Sequence, residues 1–99
     1  MSIPFSGCVL GKDVPACPDC GGAYLHHKSV VAYFRDTEDG PGSRTYVTTG
    51  RVESCRVGAK AIDGRRDVCD IVFECEDCEG NKVLHILQHK GHTLLSWEV

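Results

Sequence analysis

The chain has 99 residues, 41% hydrophobic and 25% charged, which is the balance of one small globular domain and excludes a disordered segment. Its formal net charge of −3 argues against non-specific adhesion to nucleic acid or to an anionic membrane. The N-terminus lacks the basic and apolar stretches of a signal peptide, and no stretch reaches transmembrane length. We therefore expect one cytoplasmic domain over residues 1–99, with its seven cysteines reduced or metal-bound.

The first half of the chain predicts strands separated by turns. Residues 1–16 contain two prolines and two glycines and are expected to be irregular, with one short strand at most. Residues 24–35 are rich in β-branched and aromatic side chains and predict a strand. Residues 36–43 are dense in turn formers and predict a hairpin tip, from which residues 44–57 return as one strand with Gly50 as a bulge or bend.

The next segment predicts a loop and then a strand with one inward face. Residues 58–66 suggest a loop with at most one helical turn. Residues 67–75 alternate apolar and acidic side chains, which predicts a strand. Its inward face is expected to carry Cys69, Ile71 and Phe73.

The C-terminal segment fits two templates. Residues 82–89 could form a strand, or a helix from an Asn81 cap to a stop at Gly91. We favour the strand because the segment is short and follows a tight turn. A last strand is expected to carry Leu95, Trp97 and Val99 on one face. The fold class predicted is therefore all-β, a small antiparallel domain of five or six strands.

Two Cys-x-x-Cys turns are the most informative motifs. Cys17-Pro-Asp-Cys20 is followed by two glycines, and proline and glycine favour the tight turn that points both thiols the same way. Cys75-Glu-Asp-Cys78 lacks the proline but has the same spacing. Two such turns supply four thiolates to one tetrahedral metal ion. The predicted metal ligands are Cys17, Cys20, Cys75 and Cys78, holding one zinc per chain that joins the N-terminal to the C-terminal region.

On these motifs the chain resembles the zinc-ribbon superfamily, whose members carry two such knuckles on β-hairpins. The Cys-Pro-Asp-Cys-Gly turn is also similar to the knuckle of rubredoxins, and the composition resembles that of short phage and prophage zinc ribbons. The resemblance implies a zinc-ribbon-like fold with a closed structural metal site, and it covers about half of the chain. Rubredoxins have a closer knuckle spacing and a denser aromatic core around iron, so zinc is favoured over iron here.

The remaining cysteines and the histidines leave alternatives open. Cys69 is interpreted as a core residue, whereas Cys8 and Cys55 have no assigned role. A second arrangement would place two metals on separate sets of ligands. These sets are Cys8, Cys17, Cys20 and His26, and then Cys69, Cys75, Cys78 and His85. The second set is disfavoured because Cys69 and Cys75 would lie roughly 20 Å apart on an extended strand.

A basic segment is the candidate contact surface. Residues 44–66 contain six Lys/Arg and two acidic residues, against an acidic remainder. The candidate contact residues are Arg51, Arg56, Lys60, Arg65 and Arg66. Arg51 and Glu53 share a strand face, which weakens the field there.

Three functions follow from these features, and no catalytic residue is predicted. We expect a small non-enzymatic zinc-binding module that acts through a protein partner as an interaction or regulatory accessory. The alternative is a nucleic-acid-binding zinc ribbon that uses the basic 44–66 segment. A rubredoxin-type electron carrier is disfavoured by the few aromatic residues. The identity of the partner and the oligomeric state do not follow from the sequence.

Overall fold

In a computed structural model, which describes residues 5–98, the chain is almost entirely antiparallel β-structure. A two-stranded hairpin pairs β1 (Phe5–Val9) with β2 (Lys12–Pro15). A six-stranded sheet has the order β5-β4-β3-β6-β7-β8. Its strands are β3 (Leu25–Arg35), β4 (Gly42–Thr48), β5 (Arg51–Val57), β6 (Val68–Cys75), β7 (Asn81–His89) and β8 (His92–Glu98). The predicted all-β class is confirmed.

Two sequence predictions are corrected by hairpins that the sequence does not signal strongly. Residues 44–57 form two strands and not one, because Gly50, at a φ of 73°, closes a reversal between β4 and β5. The N-terminal segment is a hairpin and not irregular over its described part. Its turn uses Leu10 and Gly11, both with positive φ, as the type I′ hairpin turn requires. Leucine is uncommon at such a position, so the turn escapes detection.

The other predicted elements agree with the structure. Residues 81–89 are a strand, so the helical alternative is wrong. The loop after β5 contains one 3-10 turn, Ala59–Ala61. Leu95 and Trp97 share a face of β8, and Val99 lies outside the described residues. No helix in the described part of the chain has the length and apolarity needed to cross a bilayer.

The register gives the six-stranded sheet two chemically different faces. Directly paired residues point to the same face, so Val30, Val47 and Ile71 lie together with Leu84 and Trp97. We call this side the apolar face; it also carries Ala32, Phe34, Val52, Cys69, Phe73, Ile86 and Leu95. Polar residues on the same side are Ser43, Thr45 and Ser54, with Arg56 at one end and Lys82 at the other. The opposite side, the mixed face, interleaves apolar side chains with Arg44, Glu53, Asp70, His85 and Glu98.

Burial is concentrated at two places and is shallow between them. One is the knuckle end of the sheet, with Ala16, Cys17, Cys75, Lys82 and Trp97. The other lies under the 58–66 loop, where Ile62 and Val68 are buried. Arg35 anchors that loop, because its guanidinium donates to the carbonyl oxygens of Gly40, Ala59, Ile62 and Gly64. The predicted inward residues Cys69, Ile71 and Phe73 are only half-buried, because nothing in the described chain forms a second layer over the middle of the apolar face.

Candidate metal centre

The four cysteines of the two Cys-x-x-Cys turns come together at one end of the sheet. All four sulfurs lie within 4.8 Å of one another. The Sγ atoms of Cys17 and Cys78 are 3.7 Å apart, and those of Cys20 and Cys75 are 3.6 Å apart. Sulfurs bound to a tetrahedral zinc at about 2.3 Å are separated by about 3.8 Å. The donor set therefore fits a metal of this size and is too widely spaced for disulfides.

The first knuckle is a tight turn that depends on its two glycines. The Gly21 amide donates to the carbonyl oxygen of Cys17 (2.9 Å), and Gly21 has a φ of 75°. The Gly22 amide donates to the Sγ of Cys20 at 3.4 Å. A Cβ on Gly22 would lie 2.5 Å from a carboxylate oxygen of Asp77, whose exposed side chain would have to rotate away, and 3.3 Å from the Sγ of Cys20. The sequence therefore builds a turn whose amides face sulfur.

Pairing of the strands brings the second knuckle to the first. Leu25, which follows the first knuckle, pairs with Cys75 at the end of β6. The Glu76 amide donates to the carbonyl oxygen of Tyr24 at 3.1 Å, which extends this pairing into the second turn. Two cysteine pairs far apart in sequence thus become neighbours because β3 and β6 are adjacent in the sheet.

Lys82, which no sequence motif singles out, joins the two knuckles. Its side chain is 4% exposed, and its Nζ lies 2.7 Å from the carboxylate of Asp19 in the first knuckle. The same Nζ donates to the carbonyl oxygen of Glu79 in the second knuckle at 2.8 Å. Four thiolates around a divalent ion carry two net negative charges. An ammonium group linking both knuckles offsets that charge, and the signal for it was a lysine four residues after Cys78 in an otherwise acidic segment.

The thiol pKa values show how crowded the four sulfurs are. Burial alone would raise the pKa of Cys17, but the facing backbone amides of Cys20 and Asp19 bring it down to about 7. Burial and then the neighbouring thiols raise the pKa of Cys78 to about 12. The sulfurs therefore cannot all ionise at neutral pH unless a cation joins them, which is the condition that a bound metal satisfies.

The remaining cysteines do not join this cluster. Cys8 and Cys55 are exposed, and Cys69 is half-buried on the apolar face. The two-metal alternative is wrong in its grouping, because Cys17 and Cys20 share their cluster with Cys75 and Cys78 and not with Cys8. Burial and then the charge of Asp70 raise the pKa of Cys69, which keeps that thiol protonated.

A second cluster, on the mixed face, was not predicted. The Nδ1 of His85 lies 2.6 Å from Asp70 and 3.1 Å from Glu98, and its Nε2 lies 3.2 Å from Asp63. Burial lowers the pKa of His85, but the three carboxylates outweigh it and the net shift is upward. The ligand atoms of His85, Asp70 and Glu98 lie close enough to hold an ion. Three neighbouring strands and a loop assemble this group, so no sequence spacing reveals it.

The basic segment is largely paired with acidic residues. Arg51 lies 2.7 Å from Glu53, and Arg56 forms an ion pair with Asp36. Arg65 and Arg66 contact the turn between β3 and β4: Arg65 lies 2.9 Å from Asp39 and 3.3 Å from Glu38, and Arg66 lies 3.5 Å from Glu38. These contacts lower the field that the segment would present to a phosphate backbone.

Comparisons with protein-family models, curated proteins and solved structures return no match.

Proposed function

We propose that this protein is a non-enzymatic binding module whose fold is held by one structural zinc ion. The observation that carries the proposal is the cluster of four sulfurs, spaced 3.6 and 3.7 Å apart across the two knuckles. Four thiolates fill a tetrahedral zinc, so no position remains for water or substrate. Such a site contributes folding energy and not catalysis.

The ligands would be Cys17, Cys20, Cys75 and Cys78, and the site would be of the zinc-ribbon type. Lys82 supports this assignment, because an ammonium beside the cluster suits a dianionic zinc centre. The role as an interaction or regulatory accessory is supported by the shallow core and by the exposed apolar side chains of the sheet.

Metal analysis of protein purified without added metal tests the zinc assignment. We expect one zinc per chain and no visible absorption band. Iron with a visible charge-transfer band would instead support an electron carrier of the rubredoxin type. A protein that contains no metal and refolds without it would contradict both assignments.

Binding of nucleic acid through Arg51, Arg56, Lys60, Arg65 and Arg66 remains the alternative function. It predicts salt-dependent binding to an oligonucleotide that falls when Arg65 and Arg66 are changed to alanine. Because both arginines contact the acidic turn between β3 and β4, we expect no such binding at physiological salt. Salt-sensitive binding that the double variant abolishes would favour the alternative.

A further inference from the structure

The middle of the apolar face is an uncovered hydrophobic surface without charge. Val30, Ala32, Ile71, Leu84 and Ile86 are half-buried there, although they lie on inner strands of the sheet. Phe34 is 54% exposed and Val52 is 70% exposed on the same face. An apolar sheet face is stable only when another layer packs on it. In the described residues, only the knuckle end of this face is buried.

The dimensions of this face match those of a protein interface. Six strands spaced about 4.8 Å apart, each about seven residues long at about 3.3 Å per residue, give a flat area of roughly 550 Å². A stable interface buries about 800 Å² of accessible surface on each partner, and the accessible surface of a sheet exceeds its flat area. Part of this area is already covered at the knuckle end, where Lys82 and Trp97 are buried. The open part of the face therefore suits an interface at the small end of the range for specific complexes.

The two ends of the apolar face differ in shape. At one end the first knuckle lies over the sheet, since Lys82 on this face contacts Asp19 in the knuckle. At the other end is a groove of about 700 Å³, lined by Phe34, Cys69 and Ile86 of the apolar face and by Glu38 and Arg66 at its rim. Because β6 runs from Cys69 to Cys75, the knuckle and the groove lie about 20 Å apart along the strands.

We propose that a second copy of this chain occupies the apolar face and forms a twofold-symmetric β-sandwich. A twofold axis that lies between the sheets and runs across the strands places the knuckle of each copy over the groove of the other. It also places each strand of one copy over the same strand of the other copy, with the two sheets about 10 Å apart, as in packed sheets. The middle of the face carries no charged side chain, which favours a second copy because homodimer interfaces are more apolar than those of non-obligate complexes. The two charged residues on the face, Arg56 and Lys82, lie at its opposite ends and are paired with Asp36 and Asp19.

This inference rests on the proposed interaction role, for which it names the partner, but it does not depend on the identity of the metal. A monomer that binds one zinc would overturn the dimer and leave the metal assignment intact. A dimer that contains no zinc would overturn the metal assignment and leave the dimer intact.

Adjacent leucines on β8 provide a matched test. Leu95 is 47% exposed and lies on the apolar face, paired with Ile86, whereas Leu94 is 45% exposed and lies on the mixed face, paired with Leu87. Each is changed to glutamate in the metal-loaded protein, and the molar mass is measured by sedimentation equilibrium over a range of concentrations. We expect a wild-type dimer that Leu95→Glu weakens by about 30-fold or more, the effect of losing an interface hot spot. Leu94→Glu should leave the dimer intact.

A second variant separates loss of the dimer from misfolding of the chain. Val52→Glu changes a side chain that is already 70% exposed on the apolar face, so its effect on the folding of one chain is small. Circular dichroism confirms folding of each variant. If the wild-type protein is still monomeric at about 100 μM, its dissociation constant is higher than that of any stable dimer, and the proposal is overturned. A dimer that Leu95→Glu and Val52→Glu both leave intact also overturns it, because association would then use another surface such as an edge strand.

Discussion

Replacing Cys17 by serine tests whether the metal centre holds the fold together. Cys17 is 2% exposed, and four other buried residues surround the same end of the sheet: Ala16, Cys75, Lys82 and Trp97. A structural zinc contributes on the order of 10 kcal/mol, so losing even a third of it costs about 3 kcal/mol. In a domain of this size each kcal/mol lowers the Tm by about 4–8 °C. Cys17→Ser should therefore lower the Tm by at least about 12 °C.

The assay is thermal unfolding followed by circular dichroism, with the zinc content measured on the same samples. Cys55→Ser is the matched control, because Cys55 is exposed on β5 and lies outside the cluster. A change at such a surface position is worth about 0.5 kcal/mol at most, or less than about 4 °C. If Cys17→Ser melts at the same temperature as Cys55→Ser, the four-cysteine cluster does not hold the fold together.

Three further outcomes are expected. Lys82→Met should weaken zinc binding by about 10-fold or more, since Asp19 and the thiolates lose their neutralising ammonium; competition with a chelator measures this, and wild-type affinity would contradict it. His85→Gln should remove a stabilisation that is fully present below about pH 6.5 and is lost as the pH rises through the raised pKa of the folded state. The free energy of unfolding, measured with urea for both proteins between about pH 5 and 9, should therefore differ only at pH values below the folded-state pKa of His85. Gly42→Ala should cost about 2 kcal/mol or more in urea unfolding, because the added Cβ would overlap the carbonyl oxygen of Phe34; an unchanged midpoint would mean that the turn relaxes.

Local chemistry in the sequence determined much of the fold. The alternation in residues 67–75 and the short apolar run of residues 82–89 were enough to predict β6 and β7. The two Cys-x-x-Cys pairs were enough to predict that their four thiols form one cluster, because this spacing is typical of a four-cysteine metal site. Each of these signals lies within a few residues, which is the range over which a sequence pattern acts. The position at which the two cysteine pairs meet depends instead on the pairing of β3 with β6.

The structure alone decided what depends on pairing between distant strands. The split of residues 44–57 into β4 and β5 depends on the pairing of those strands across Gly50. The contact of Lys82 with Asp19 and the group around His85 arise where separate strands meet in a fixed register, which local patterns do not specify. The uncovered apolar face is likewise a property of the assembled sheet, because alternation marks a strand's apolar side but does not say whether another layer will cover it.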